Sequence, residues 1–234
     1  MQGNGNNLNI VTAKGEIYEG LGNKNTEVTN VKQLIASNGA RCALTKDGKV
    51  YAKGSIFTGG WGDGFIRDNY VEITLDGINS LPKIEKMYIT NYEGATIVIT
   101  EENEIYWFGT DHYTKFPNVV GDVVVLSVNR IVTFYPKNIT NNGAILSNIK
   151  NKIKDIQINY TPASAGVEVG NTLILTTDGE LYTFSGHPNL SGKGTTQTDF
   201  ERLNIDNKKV VNAKTRRNIS FAITEDRRGI CVGI

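Results

Sequence analysis

The sequence predicts an all-β protein, a β-propeller of about six short four-stranded blades whose ring is closed by the N- and C-terminal strands. Three observations lead to this fold class: a pattern that recurs six times, a tight-turn signal inside each copy, and a strand-rich composition. Ile, Val, Thr and Tyr are abundant, and 25 of the 234 residues are Gly. This composition suits short strands joined by many turns.

The recurring pattern is an apolar residue, Thr, two polar residues, a turn residue and then a polar–apolar–aromatic stretch. Residues 44–51, Leu-Thr-Lys-Asp-Gly-Lys-Val-Tyr, are its clearest copy. The copies lie near residues 11–18, 44–51, 99–106, 139–146, 175–182 and 223–231, of which the fourth and sixth are degraded. Their Thr residues recur about every 42 positions, which is typical of a four-stranded propeller blade. We therefore predict a single propeller domain over residues 1–234.

Each copy predicts a tight β-hairpin. Asp-Gly or Asn-Gly between alternating strands is the signal for a two-residue type I′ turn, and Asn103 is expected to take the left-handed position where Gly is missing. Strand alternation places Val50, Ile105 and Leu181 on one buried face. A further apolar strand precedes most hairpins, as at residues 31–36, 84–89, 153–158 and 210–213.

Two other arrangements of these strands are compatible with the pattern. One is a β-sandwich with irregular strands, and the other is a pair of small β domains. The propeller is favoured because the first copy lacks an upstream strand, whereas the last copy has one. The two termini could therefore share one blade, which would close the ring and leave no open sheet edge.

Charge and hydropathy exclude several classes of protein. The net charge of +1 argues against a nucleic-acid partner. No apolar run approaches the roughly 18 residues that span a bilayer, so no membrane insertion is expected. The polar segment from Met1 to Asn9 does not resemble a signal peptide, which predicts cytoplasmic synthesis. Cys42 and Cys231 both lie in apolar stretches and are predicted to be buried thiols.

The pattern resembles the repeat of the regulator of chromosome condensation family. The resemblance rests on residues 31–82, with Ala43 to Tyr51, Gly54, the glycine-rich segment 59–64 and Pro82, and again on residues 169–203. It covers nearly the whole chain, although family members usually have seven blades and longer repeats. The resemblance implies a binding scaffold, since family members include a nucleotide-exchange factor, a β-lactamase inhibitor and bacterial surface and phage proteins. No functional residue is carried over from the family.

The residues show little sign of catalytic chemistry. His112 and His187 are far apart and have no metal-ligand spacing around them. There is no Gly-x-Ser-x-Gly segment, no phosphate-binding loop and no calcium loop, and Asp47 and Asp178 are explained as turn formers. We expect no enzyme activity, no cofactor and no metal.

Aromatic residues outside the strands are the candidate binding site. Equivalent loops of a propeller lie on one side of the ring, and Trp and Tyr in loops are typical of binding hot spots. The predicted binding residues are Phe65, Tyr70, His112, Tyr113 and Trp61, of which Trp61 also fits a packing role. Phe57 and Phe116 lie in the same two segments.

These features favour a non-enzymatic binding propeller that presents its loops to a protein or to a cell-surface glycan. An Asn-, Ile- and Lys-rich composition is common in AT-rich bacterial genomes and their phages, so we expect a tail, baseplate or receptor-binding adhesin in such a particle, with its oligomeric state set by the assembly. The alternatives are a soluble regulatory or inhibitory propeller that caps an enzyme or GTPase, and a glycan-active enzyme.

Overall fold

The computed structural model describes residues 2–4, 7–20, 22–37, 40–54, 67–74, 79–89, 96–108, 126–128, 131–133, 137–138, 144–161, 169–185, 197, 199–216 and 219–232. Its contacts group into two compact units, residues 1–112 with 121–138 and residues 113–120 with 139–234. The single domain over residues 1–234 stays a prediction.

The first unit consists of antiparallel sheets. Sheet 1 comprises β1 (Gln2–Asn4), β2 (Asn7–Val11), β3 (Ile17–Glu19) and β4 (Asn23–Asn25). Sheet 2 comprises β5 (Val31–Ser37), β6 (Ala40–Thr45), β7 (Val50–Gly54) and β8 (Arg67–Glu72). Sheet 3 begins with β9 (Ile84–Ile89), β10 (Thr96–Thr100) and β11 (Ile105–Phe108). A two-stranded pair, β12 (Leu126–Val128) and β13 (Ile131–Thr133), follows, and β14 (Lys137–Asn138) then completes sheet 3 beside β11.

The second unit begins with a short helical segment and continues with two sheets. Helix α1 spans Ala144–Ile149, and a single 3-10 turn covers Lys150–Lys152. Sheet 4 comprises β15 (Ile153–Thr161), β16 (Val169–Thr176), β17 (Leu181–Ser185) and β18 (Glu201–Leu203). Sheet 5 comprises β19 (Val210–Arg216), β20 (Ile219–Thr224) and β21 (Gly229–Val232).

The described part of the chain is thus mostly β, with five antiparallel sheets of three or four strands. Five of the six predicted hairpins are present, namely β2–β3, β6–β7, β10–β11, β16–β17 and β20–β21. The strands nearest the two termini, β1 and β21, lie in different sheets. A sheet shared by both termini is therefore not observed among the described strands.

The hairpin prediction for residues 139–146 is wrong. Residues 139–143 lie outside the described residues, and residues 144–149 form α1 instead of a returning strand. Leu146 and Ile149, three positions apart, are both buried. This spacing places them on one face of a helix, so the apolar period of the segment is helical and its resemblance to the repeat is superficial.

The turn type is also different from the predicted two-residue type I′ turn. In the hairpin of sheet 2, Gly48 N–H donates to the carbonyl of Thr45 at 3.1 Å, and Thr45 N–H donates to the carbonyl of Lys49 at 2.9 Å. Gly48 has a φ of +86°, and Asp47 has no positive φ. The loop therefore has three residues, of which only the last is left-handed. Asn103 takes the same position with a φ of +64°, as expected.

In four of the five described hairpins, the hydroxyl of the repeated Thr accepts a backbone N–H across the turn. The hydroxyl of Thr45 accepts the backbone N–H of Lys49 at 3.0 Å, and that of Thr176 accepts the N–H of Glu180 at 2.9 Å. The hydroxyls of Thr12 and Thr100 make the equivalent bonds. The Thr of the pattern is therefore a structural residue that satisfies a backbone donor at the turn.

Within each unit, successive sheets are joined by a bond from the first strand of one sheet to the turn of the sheet before it. Ile84 N–H donates to the carbonyl of Gly48 at 3.0 Å, and Val210 N–H donates to the carbonyl of Gly179 at 2.8 Å. The spaces between these sheets are filled by apolar side chains. In the first unit the buried cluster contains Ile17, Val28, Val31 and Ala43, and in the second it contains Leu173, Leu175, Ala213 and Ala222 among others.

The predicted packing face is confirmed, and one of the two predictions for the cysteines is wrong. Val50, Ile105 and Leu181 are all at most 1% exposed. Cys42 is buried, and burial raises the pKa of its thiol to about 12. The hydrogen bond with Thr96 acts in the opposite direction and is the smaller effect. Cys231 is exposed. It lies in β21 directly opposite Phe221, whose face of sheet 5 is open to solvent.

Candidate functional site

Tyr70 is the one predicted binding residue that falls within the described residues. Trp61, Phe65, His112 and Tyr113 lie outside them, as do Phe57 and Phe116. Tyr70 lies in β8 of sheet 2 and is half-buried, with its side chain packed against the apolar cluster between sheets 1 and 2. The site is therefore described from the surroundings of Tyr70.

The side chains of Tyr70, Glu19 and Lys53 each contact the other two. The phenol hydroxyl donates a hydrogen bond to Oε1 of Glu19 at 3.2 Å. The other carboxylate oxygen, Oε2, accepts a hydrogen bond from Nζ of Lys53 at 2.8 Å. The same Nζ lies 4.6 Å from the centroid of the Tyr70 ring, in the range of a cation–π contact. We call Glu19, Lys53 and Tyr70 the anchor cluster.

The anchor cluster holds charges that are largely removed from water. Lys53 is 7% exposed, so its ammonium group depends on Glu19 for compensation. Burial raises the pKa of the Tyr70 phenol well above its usual range, and the negative charge of Glu19 raises it further. Because the phenol stays protonated at neutral pH, it serves as a hydrogen-bond donor to Glu19.

The backbone of Tyr70 is fixed as well as its side chain. Its N–H donates to Oε2 of Glu27 at 2.8 Å. Glu27 lies in the connection between β4 and β5, so Tyr70 is bonded both to Glu19 of sheet 1 and to the segment that joins sheets 1 and 2. A second cation, Arg41, lies with Nε 3.9 Å from Oε1 of Glu19.

The anchor cluster lies at the base of the aromatic connection between β7 and β8. Lys53 is the next-to-last residue of β7, and Gly54 pairs with Arg67 at the start of β8. Residues 55–66 connect these two paired positions and include Phe57, Trp61 and Phe65. Glu19 of sheet 1 therefore bonds to Lys53 of β7 and to Tyr70 of β8, the two strands that this connection joins.

No pattern in the sequence nominated Glu19, Lys53 or Glu27 as site residues. Strand alternation could have indicated that two of these residues face the packed side of their strands. Glu19 lies on the same face of its strand as Ile17, and Lys53 on the same face as Tyr51. Ile17 belongs to the cluster between sheets 1 and 2, and Tyr51 packs against it. Glu27 precedes β5 outside any strand, so no periodicity could have nominated it.

A groove of about 500 Å³ lies beside β2 and β5 in the same unit. Its wall includes Thr12, Ala13, Lys32, Gln33 and Lys46. Gln33 is engaged by backbone atoms, because its amide donates to the carbonyl of Met87 at 2.8 Å and accepts from the Met87 N–H at 3.2 Å. The lining of the groove thus includes two lysines and a glutamine that two backbone hydrogen bonds hold in place.

Within the described residues, no set of three His, Cys, Asp or Glu side chains is placed to hold a metal ion. Over the same part of the chain, no helix is both long enough and apolar enough to cross a membrane.

No protein-family model matches the chain, and no curated protein matches it. Solved structures do match. Human WBSCR16 has a TM-score of 0.56 at 14% identity, over 93% of this chain and 50% of that one. Yeast RCC1 (Prp20), solved bound to Kap60, has a TM-score of 0.54 at 19% identity, over 87% of this chain and 42% of that one. The chain thus spans half or less of these proteins.

Likeness at this level of identity shows the fold alone. The fold is that of RCC1-like β-propeller proteins, as the repeat predicted. The two matches do not by themselves show a family, an activity or a partner of this chain.

Proposed function

We propose that this chain is a non-enzymatic binding propeller whose aromatic connection 55–66 contacts a protein partner. The anchor cluster is the observation on which the proposal rests. Glu19, Lys53 and Tyr70 place three mutually compensated polar groups at the base of one connection. Such groups are costly to bury, and here they fix the two ends of a segment that carries Phe57, Trp61 and Phe65.

Anchoring of the loop ends favours binding for an entropic reason. A connection whose ends are held at fixed positions loses less conformational freedom when it binds, so more of its contact energy appears as affinity. Large aromatic side chains supply most of that energy at protein interfaces. The fold supports the same reading, since yeast RCC1, which has a similar fold, was solved in a complex with another protein.

The finer proposal places the chain in a bacterial or phage particle, as a tail, baseplate or adhesin component. Its support is the Asn-, Ile- and Lys-rich composition and the near-neutral charge. A cell-surface glycan is the other class of ligand that loop aromatics bind well, and the experiment below separates the two.

The test compares aromatic and polar substitutions in the same connection. The immobilised chain is exposed to extract of its source cells, captured proteins are quantified, and the main captured protein is purified for calorimetry. We expect the double substitution Trp61→Ala, Phe65→Ala to weaken binding about 30-fold or more. The matched control Thr58→Ala, Asp63→Ala should bind as the wild type does, and both variants should melt at the wild-type temperature.

Three outcomes would count against a protein-binding role. Equal binding by the aromatic variant and the wild type would remove connection 55–66 from the interface. Binding to purified cell-envelope polysaccharide, with no protein captured, would assign a glycan ligand. Hydrolysis of that polysaccharide would show that the chain is an enzyme.

A further inference from the structure

Sheet 5 has one apolar face that is open to solvent. Exposure alternates along β20, where Ser220, Ala222 and Thr224 are at most 1% exposed. Between them Ile219, Phe221 and Ile223 are 43%, 52% and 42% exposed. Strand alternation places these three side chains on the same face, which we call the outer face of sheet 5.

The repeat identifies what normally covers such a face. Aligned on the Thr of each copy, Phe221 and Ile223 correspond to Cys42 and Leu44 in sheet 2, to Ile97 and Ile99 in sheet 3, and to Leu173 and Leu175 in sheet 4. All six of these residues are at most 3% exposed. In sheet 4 the covering element is sheet 5, because Leu173 and Leu175 share one buried cluster with Ala213 and Ala222. The outer face of sheet 5 thus corresponds to the face that, in sheet 4, packs against the next sheet.

A polar contact confirms how the following sheet packs onto sheet 4. Asn171 of β16 donates to the hydroxyl of Ser220 in β20 at 2.7 Å. Between sheets 2 and 3, Thr96, which corresponds to Ser220, lies 3.5 Å from Cys42 of β6. In both pairs the middle strand of one sheet touches the middle strand of the next.

Sheet 1 carries the complementary face. Ile10, two positions before Thr12, corresponds to Ala43, Val98, Ile174 and Ala222. Each of those residues is 0% exposed, and Ala43 and Ala222 pack against the sheet that precedes their own. Ile10 and its cross-strand partner Tyr18 are only half-buried. Sheet 1 therefore offers the kind of surface that the outer face of sheet 5 is built to receive.

We propose that the outer face of sheet 5 docks onto the Ile10–Tyr18 face of sheet 1 in a second copy of this chain. The repeat identifies the occupant. A face that normally packs against the next sheet fits a face that normally packs against the sheet before it, and this chain carries one of each. The solved proteins of similar fold extend to about twice the length that this chain matches, so the fold accommodates further sheets beyond those described here. A head-to-tail contact of this kind is heterologous.

The experiment measures mass against concentration by sedimentation velocity. We expect the 25.7 kDa chain to associate into species of twice that mass and above as its concentration rises, because a head-to-tail dimer keeps one face of each kind open. Phe221→Asp should weaken this association about 30-fold or more, because it forces a charge into an apolar contact. Val71→Asp is the matched control, since Val71 is an exposed apolar residue of another sheet, 37% exposed, and it should associate as the wild type does.

A mixing experiment tests the head-to-tail geometry. Phe221→Asp keeps an intact sheet 1 face, and Ile10→Asp keeps an intact sheet 5 face. Each variant alone should remain at the mass of one chain, and a mixture of the two should form a one-to-one dimer through the remaining pair of faces. If Ile10→Asp unfolds, as judged by circular dichroism, Tyr18→Ala takes its place.

Cys231 gives a readout that needs no substitution in the interface. It lies directly opposite Phe221 and is exposed, whereas Cys42 is buried. Its thiol should react with a maleimide more slowly as the concentration of the wild-type chain rises. A chain that keeps the mass of one copy at every concentration would overturn the proposal, whether its Cys231 is reactive or protected, and so would a Phe221→Asp variant that associates like the wild type.

Discussion

The carbonyl oxygen of Gly48, at the tip of one hairpin, accepts a hydrogen bond from the backbone N–H of Ile84 at 3.0 Å. Ile84 is the first residue of the following sheet, so this bond is one of those that join sheet 2 to sheet 3. The approach is so close that a methyl group on Gly48 would lie 2.9 Å from the backbone nitrogen of Ile84. Gly48 thus has two reasons to be glycine, its φ of +86° and the approach of the next sheet.

Substitution of Gly48 by Ala is therefore expected to destabilise the protein by about 3 kcal/mol. A left-handed backbone costs a residue with a side chain about 1 kcal/mol, and the forced separation of Gly48 from Ile84 supplies the rest. Urea unfolding followed by circular dichroism measures the change. Gly20→Ala is the control, since Gly20 also has a positive φ, +61°, and no atom within 4 Å of the added methyl group. A similar loss of about 1 kcal/mol in both variants would show that the contact between the sheets carries no weight.

We expect Tyr70 to contribute to the stability of the fold as well as to any binding. If Tyr70 were only a binding residue, as the sequence predicted, Tyr70→Ala would weaken binding without unfolding. For Tyr70, the contacts with Glu19, Lys53 and Glu27 lead to a different expectation. Tyr70→Ala should lower the free energy of unfolding by about 3 kcal/mol, through loss of the ring packing, of the cation–π contact with Lys53 and of the hydrogen bond to Glu19.

Tyr70→Phe is the conservative variant that separates the two contributions. It keeps the ring over Lys53 and removes only the hydroxyl that donates to Glu19, so the loss should be about 1 kcal/mol. Chemical denaturation of both variants beside Trp61→Ala gives the comparison. An unchanged unfolding free energy in Tyr70→Ala would return Tyr70 to the role of a purely surface-exposed binding residue.

The two cysteines should differ sharply in reactivity. Cys42 is buried and its pKa is raised to about 12, so almost no thiolate forms at neutral pH. Cys231 is exposed. A dilute sample treated with a thiol-reactive chromophore should therefore release one equivalent quickly and the second only after denaturant is added. Cys231→Ser should abolish the rapid phase, and two rapid equivalents in the native wild type would contradict the burial of Cys42.

The parts of the fold that could be predicted from the sequence are those determined by interactions between residues close together in the chain. Strand alternation and the Thr and Gly of each repeat act over a few residues, so they revealed five hairpins and the buried face of Val50, Ile105 and Leu181. The left-handed Asn103 follows from the same local rule. The turn length was wrong because Asp-Gly occurs both in two-residue loops and in three-residue loops such as that of Gly48.

The features that sequence failed to predict depend on contacts between distant residues. Glu19 meets Lys53 and Tyr70 across two sheets, and no pattern along the chain pairs them. The exposure of Cys231 depends on whether another sheet covers its face, which its apolar neighbours do not reveal. Residues 144–149 show that a weak copy of a repeat can be overridden by a helical apolar period.

Asp178 is expected to make the second unit sensitive to acid. Its carboxylate accepts hydrogen bonds from Lys152 at 2.7 Å and from the hydroxyl of Thr176 at 2.5 Å, and these bonds lower its pKa to about 2. An ordinary Asp in an unfolded chain has a pKa of about 3.9. Because the folded-state pKa is depressed, the stabilisation is present above about pH 4 and is lost as the pH falls towards 2.

Asp178→Asn should remove this dependence. The wild type should lose more of its urea midpoint between pH 4 and pH 2 than Asp178→Asn does, as measured by circular dichroism. The difference should shrink in high salt, since Lys152 and Asp178 are both substantially exposed. The control is Glu85→Gln, which breaks the exposed pair of Glu85 with Lys32 outside the hairpin turns. If Asp178→Asn and the wild type lose stability in parallel over this range, the turn carboxylate is not a source of the acid sensitivity.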